Sequence, residues 1–135
     1  VNMSNDLQMI PSHRTITIGI RDPKQRKVYP LSWSDTRKIQ NLIYYCFSKV
    51  TEMNFGDPIV VYNFIFETVY DNLIYIANLV LDGDEITGEE LSAVQATELA
   101  NIIYDMNFEL IVKNFQSLLQ KTKVLMEKAE IQKAE

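Results

Sequence analysis

The chain has 135 residues, 47% of them hydrophobic and 23% charged, with a formal net charge of −5. This is the balance of an ordinary soluble globular protein, and the length suits one domain with a core of its own. The acidic excess and scattered Lys and Arg argue against nucleic acid as a partner; the one cysteine, Cys46, excludes an internal disulfide and points to a reducing compartment.

Residues 1–12 carry no periodic pattern and read as a flexible N-terminal arm. They also lack the basic start and apolar stretch of a signal peptide. Ile16, Ile18 and Ile20 then alternate with Thr15, Thr17 and Gly19, the period of two expected of a half-buried strand. Asp22-Pro23-Lys24-Gln25 is a natural turn, after which Lys27 to Leu31 can return as a second strand. A lone hairpin is marginal in water, so its isoleucines must lie against helices or join a neighbour's sheet. The basic run Arg21 to Lys27 falls at this turn and reads as a solvated loop rather than a phosphate site.

Ser32 or Ser34 caps a first helix whose core stripe is Ile39, Leu42, Ile43, Cys46, Phe47, Val50 and Met53. Asn54-Phe55-Gly56-Asp57 ends it, and Asp57 with Pro58 opens a second helix over 58–81. Asn63, Glu67, Asp71 and Asn78 form a polar stripe on that helix. Tyr62, Ile65, Phe66, Val69, Leu73, Ile76 and Val80 fill the opposite half, with Asn72 out of place. The segment is long enough to span a bilayer, but Glu67 and Asp71 near its middle would be costly in lipid, so no membrane contact is expected.

Asp82-Gly83-Asp84-Glu85 is the next break. Ile86 and Thr87 stand where a calcium loop needs a ligand and a tight-turn glycine, so a plain helix-breaking loop is favoured. Thr87 and Glu90 have the spacing of a capping box, with Ile86 and Leu91 as its hydrophobic staple. They start a helix carrying Leu91, Val94, Leu99, Ile102, Ile103 and Met106. Asp105-Met106-Asn107 is the expected interruption. Phe108, Ile111, Val112, Phe115, Leu118 and Leu119 continue the stripe before a polar helical or frayed tail at 121–135. The expected fold is mainly α: an N-terminal hairpin and a four-helix bundle, or three helices with one long kinked C-terminal helix, in a single domain over 13–120.

Little in this order offers chemistry. A nucleophilic pair would require Cys46 and His13, and Cys46 lies on a core stripe. One His and one Cys make no transition-metal cluster. The four glycines are isolated and form no phosphate loop. Glu67 and Asp71 share a helix face without a partner group for acid–base work. No cofactor, metal or catalytic residue is expected, and the generous supply of Tyr and Phe suits a binding surface.

The order of elements resembles the small tail assembly chaperones of long-tailed bacteriophages. The likeness runs over about residues 14–118. It rests on the strand pair ending at Tyr29-Pro30-Leu31, on Leu91-Ser92, Gln95, Glu98-Leu99 and Ile102-Ile103, and on the Asn107-Phe108 ending. The resemblance implies a non-enzymatic, oligomeric protein in the cytoplasm of an infected host cell. Such a protein coats the tape-measure protein, recruits tail-tube protein and has a longer form made by ribosomal frameshifting. Val60, Phe64, Ile74 and Tyr75, beside the polar stripe, are the expected protein contacts, with Phe108 and Phe115 behind them; packing of each in the core is the competing reading. The alternative function is a homodimeric structural or regulatory module, such as a virion connector component or an inhibitor, paired through the open edge of its hairpin.

Overall fold

A computed structural model describes residues 13–52 and 57–134. The expected arm at 1–12, Met53 and the break at 54–56 lie outside the described residues, as does the side chain of Phe115.

Strand β1 (Arg14–Ile18) pairs antiparallel with β2 (Lys24–Val28), in a register running from Arg14↔Val28 to Ile18↔Lys24. Ile16, Ile18 and Val28 are buried, as the alternation requires. The reversal comes earlier than expected and leaves Lys24 and Gln25 inside β2. Gly19 makes this possible: its φ is +123°, and a Cβ there would stand 2.5 Å from the Asp22 carbonyl oxygen. Ile20 therefore sits in the turn, 59% exposed, and is not the third core residue of the strand.

Ser32 caps α1 (Trp33–Lys38) by accepting from the Asp35 N–H at 3.0 Å. A break at buried Ile39 separates it from α2 (Gln40–Glu52), which buries Cys46 and Val50. Asp57 and Pro58 open α3 (Pro58–Asp71) as expected, the Asp57 carboxylate accepting from the Ile59 N–H at 3.0 Å. The 58–81 helix is not continuous. Asn72 turns its amide back to donate to the Thr68 carbonyl at 2.8 Å, and α4 (Leu73–Val80) starts beyond it. Its buried face is Val61, Ile65, Thr68, Val69, Leu73, Ile76, Ala77 and Val80. Asn63, Glu67 and Asp71 are exposed, whereas Asn78 leaves the polar stripe and clasps Ile86, accepting from its N–H at 2.8 Å and donating to its carbonyl at 3.0 Å.

The expected capping box is displaced by one turn. Gly88–Glu90 is a single 3-10 turn without a side-chain cap, and α5 (Ala93–Ile103) is capped by Ser92 and Gln95. Ser92 accepts from the Gln95 N–H at 3.1 Å, and the Gln95 amide oxygen accepts from the Ser92 N–H at 3.2 Å. The same amide reaches the hairpin, taking the Gly19 N–H at 3.2 Å and donating to the Gly19 carbonyl at 3.1 Å. Gln95 wins over Glu90 because it satisfies two segments at once.

At Tyr104–Phe108 the helix widens into a π turn, at the expected interruption, and continues as α6 (Glu109–Ala134). Asn107 neither stops nor caps it. Its amide donates to the Ile103 carbonyl at 3.1 Å and accepts from the Leu31 N–H at 2.7 Å, fixing the hairpin-to-helix link. One core joins Ile16, Ile18 and Val28 to Ile65, Ile76, Leu99 and Ile103.

The basic turn and the acidic loop are joined. Arg26, with only 17% of its side chain exposed, donates to the Asp82 carboxylate at 3.3 Å, to the Asp82 carbonyl, and to the Asp84 carbonyl at 2.7 Å. The Lys27 N–H also reaches the Asp82 carboxylate, at 2.9 Å. Arg26 is thus an anchor, not part of a solvated run. Residues Val80 to Asp82 lie along β2 through Tyr29 N–H to Val80 O at 2.8 Å and Asp82 N–H to Lys27 O at 3.1 Å.

Replacing Gln95 with Ala should cost about 1–3 kcal/mol in urea unfolding, because a cap and the Gly19 bonds go together. Thr87→Ala should stay within about 0.5 kcal/mol; the reverse order would contradict the assignment. The Lys27 N–H, followed by Arg26, holds the Asp82 carboxyl below its ordinary value, against the opposing effect of burial. A lowered folded-state pKa adds stability that is present at neutral pH and lost as pH falls below 3.8. The stability gap between wild type and Asp82→Asn should therefore close on acidification, as read by denaturant midpoints across that range.

Candidate protein-docking groove

Tyr62, Phe66 and Tyr70 stand four residues apart on α3, so they rise one above another along the helix. Their rings are stacked at centroid distances of 5.9 and 6.3 Å. Tyr104, from the π turn, meets Tyr62 edge-on at 4.8 Å, and the Tyr62 hydroxyl contacts the Asn101 amide oxygen of α5 at 3.2 Å. Burial raises the Tyr104 phenol above its ordinary range, with the nearby charge of Glu109 adding to it.

The ladder leads into a shallow groove of about 460 Å³ between the α3–α4 junction and the start of α5. Tyr70, Ile74 and Tyr75 line one side, and Leu91, Ala93 and Ala96 the other, with Asp71 the one acidic residue on its wall. Tyr70 is 40% and Tyr75 55% exposed. The small side chains of α5 keep the floor open, and the tyrosines offer apolar rings with polar tips, a combination enriched at protein interfaces.

The expected contacts divide. Ile74 and Tyr75 line the groove. Val60 is exposed, and the Phe64 ring packs 6.2 Å from Tyr45 of α2; neither lines the groove. Phe108 is a correction: at 5% exposure it belongs to the core and offers no surface, because the π turn rotates it inward beside Tyr104. Tyr62 and Phe66, on the apolar half of the helix, stand at the edge of the core because the buried face of α3 is centred on Val61, Ile65 and Thr68. The signal for the ladder was the spacing 62, 66, 70 and 74, an apolar line one residue away from the core line.

The chemistry of the remaining candidates is quiet. Cys46 is buried beside Thr68; burial pushes its thiol up, with the Thr68 hydrogen bond only partly offsetting it. The His13 ring lies 5.7 Å from that of Tyr29, at the hairpin. Asp82 is committed to Arg26 and Lys27. Among the described residues no three His, Cys, Asp or Glu side chains are placed to hold a metal ion, and no helix is long and apolar enough to cross a membrane. No family model matches the chain, and comparison with curated proteins and with solved structures found no match.

Proposed function

We propose that this protein is a non-enzymatic tail assembly chaperone of a long-tailed bacteriophage, acting in the cytoplasm of the infected cell. In this reading the groove takes a helix of the tape-measure protein, and the chaperone recruits tail-tube protein to it. One observation carries the binding role: the aromatic line Tyr62, Phe66, Tyr70 runs into an open groove edged by Ile74 and Tyr75. An amphipathic client helix presents anchors at the same three- and four-residue spacing, so its apolar face can lie against the ladder. Rigid aromatic rings lose little side-chain entropy on binding, which suits a surface that must hold and then release its client. The bacteriophage assignment rests on the order of elements and on Leu91-Ser92, Gln95 and Asn107-Phe108.

The homodimeric structural or regulatory module is the second reading, and the exposed apolar residues of α6 favour it. Pairing through the hairpin is the less favoured form, because Val80 to Asp82 already occupy the β2 edge.

Coexpression with a tape-measure protein from the same genome should give a soluble complex that is absent from finished particles. Tyr70→Ala with Tyr75→Ala should weaken that complex at least about tenfold, a loss typical of aromatic anchors, without lowering the melting temperature by more than a few degrees. Unchanged affinity in the double variant would remove the groove from the binding site. Recovery of the protein as a stoichiometric part of purified virions would favour the connector reading.

A further inference from the structure

The charges of this chain are sorted by segment. Between Lys49 and Lys113 lie twelve acidic residues and no Lys, Arg or His; the remainder holds all thirteen Lys and Arg and only six acids. The acid-only stretch contains α3, α4, the 82–90 loop, α5 and the π turn, the elements that build the aromatic ladder and its groove.

Some of those acids are already matched. Arg26 holds Asp82, Arg14 stands 3.5 Å from Asp105, and Lys113 stands 3.0 Å from Glu109. Glu89 and Glu90 share their cleft with Arg21 and Lys24. Glu67, Asp71 and Glu98 are exposed and form no ion pair among the described residues.

These three carboxylates edge one surface. The helices α3 and α5 run antiparallel, with Tyr62 beside Asn101 and Tyr104 at one end and Tyr70 beside Ala93 and Ala96 at the other. The ladder therefore runs alongside the Ala93, Thr97, Asn101 line of α5. At about 100° per residue, Glu67 and Asp71 stand on the side of the ladder away from the core, and Glu98 on the solvent side of Thr97 and Asn101. Neither the groove nor the surface that continues it past Ala93 is lined by Lys, Arg or His. Nor does the α3 pair serve the fold. Asp71 is the last residue of α3, at the negative end of the helix dipole where a carboxylate is unfavourable, and Glu67 lies one turn before it.

We propose that the occupant of the groove is a basic amphipathic helix of the client. Its apolar stripe lies along Tyr62, Phe66, Tyr70 and Tyr75, and Lys or Arg on its flanks meet Glu67 and Asp71 on one side and Glu98 on the other. This rests on the reading that the groove holds a client helix, and adds which segments of the client it selects. A helix lying over the seam of two packed helices has its flanking positions above their outer sides, where these carboxylates stand. The aromatic contact tolerates many sequences, so selection falls to the rims: they repel acidic segments and speed the encounter with basic ones.

The test uses three synthetic helices of about 20 residues, long enough to cover ladder and groove. They share one Leu stripe at i, i+3, i+4 and i+7 and differ only at the flanking positions, which are Lys, Gln or Glu. Binding to the full chain is read by fluorescence anisotropy. The Lys helix should bind at least about tenfold tighter than the Gln helix, with the Glu helix weakest. Raising the salt from about 0.05 to 0.5 M should remove most of that difference. Glu67→Lys, Asp71→Lys and Glu98→Lys together should invert the order. Circular dichroism checks the fold, and Glu67→Gln, Asp71→Asn and Glu98→Gln, which should make the three helices bind alike, stands in if the reversed variant misfolds. Tyr70→Ala with Tyr75→Ala should weaken the Lys and Gln helices by the same factor.

Equal binding of all three helices to the wild type, lost in the tyrosine variant, would overturn the charge selection and leave the groove reading intact. Binding of the Lys helix that the tyrosine variant leaves unchanged would put it elsewhere on the acidic surface and overturn the proposal, as would no binding by any helix. A peptide of residues 113–134 is also basic, but its exposed apolar residues share no single face, so it should compete weakly. Competition as strong as that of the Lys helix would make a second copy the occupant and overturn the assignment to a client.

Discussion

The fold depends on polar side chains that bind the backbone of distant segments. Two five-residue strands make a hairpin too small to stand by itself. It is held by the Gln95 amide on both backbone groups of Gly19, by Asn107 on the Leu31 N–H, and by Arg26 on the carbonyls of Asp82 and Asp84. Asn78 does the same for Ile86. Each anchor satisfies donors or acceptors that the packing of Ile16, Ile18, Val28 and Ile86 would otherwise strand at the edge of the core. The hydrophobic core supplies most of the cohesion, and the anchors choose one arrangement of turns around it.

That arrangement decides which apolar residues remain outside. The α3–α4 pair has more apolar circumference than α2, α5 and the hairpin can cover. With α5 tied to Gly19 at one end and the π turn tied to Leu31 at the other, the α3 face next to it has a fixed neighbour. Val61, Ile65 and Val69 go inside, and Tyr62, Phe66 and Tyr70 are left as a stacked line at the rim. The groove is therefore pre-formed, so a partner need not supply the ordering cost of its rings.

Short-range features were legible in the sequence. Ser32, Asp57 with Pro58, the Ile39-to-Val50 stripe and the irregularity near Asn107 all follow from capping chemistry and from a period of 3.6 residues. Their partners lie within four residues, or on a face that the period defines. The features that were not legible depend on residues 55 to 76 positions apart, as for Arg26 with Asp82 and Gly19 with Gln95. No local pattern distinguishes Thr87–Glu90 from Ser92–Gln95 as a cap; the contact with Gly19 does. Nor could the pattern of 58–81 say which of two adjacent apolar lines faces inward, since both carry large side chains. This is why the pattern alone leaves the apolar half of 58–81 open between core and docking surface, and Phe108 open between contact and core.

The central claim is that these anchors are part of the native structure rather than surface decoration. Native-state amide hydrogen exchange tests it at the bonded N–H groups of Gly19, Leu31 and Ile86, none of which lies within a helix or strand. The account predicts protection at all three far above that of free loop amides, with exchange at Gly19 accelerating selectively when Gln95 is replaced by Ala. Loop-like exchange at these amides in the wild type, while Ile76 and Ile103 stay protected, would contradict it.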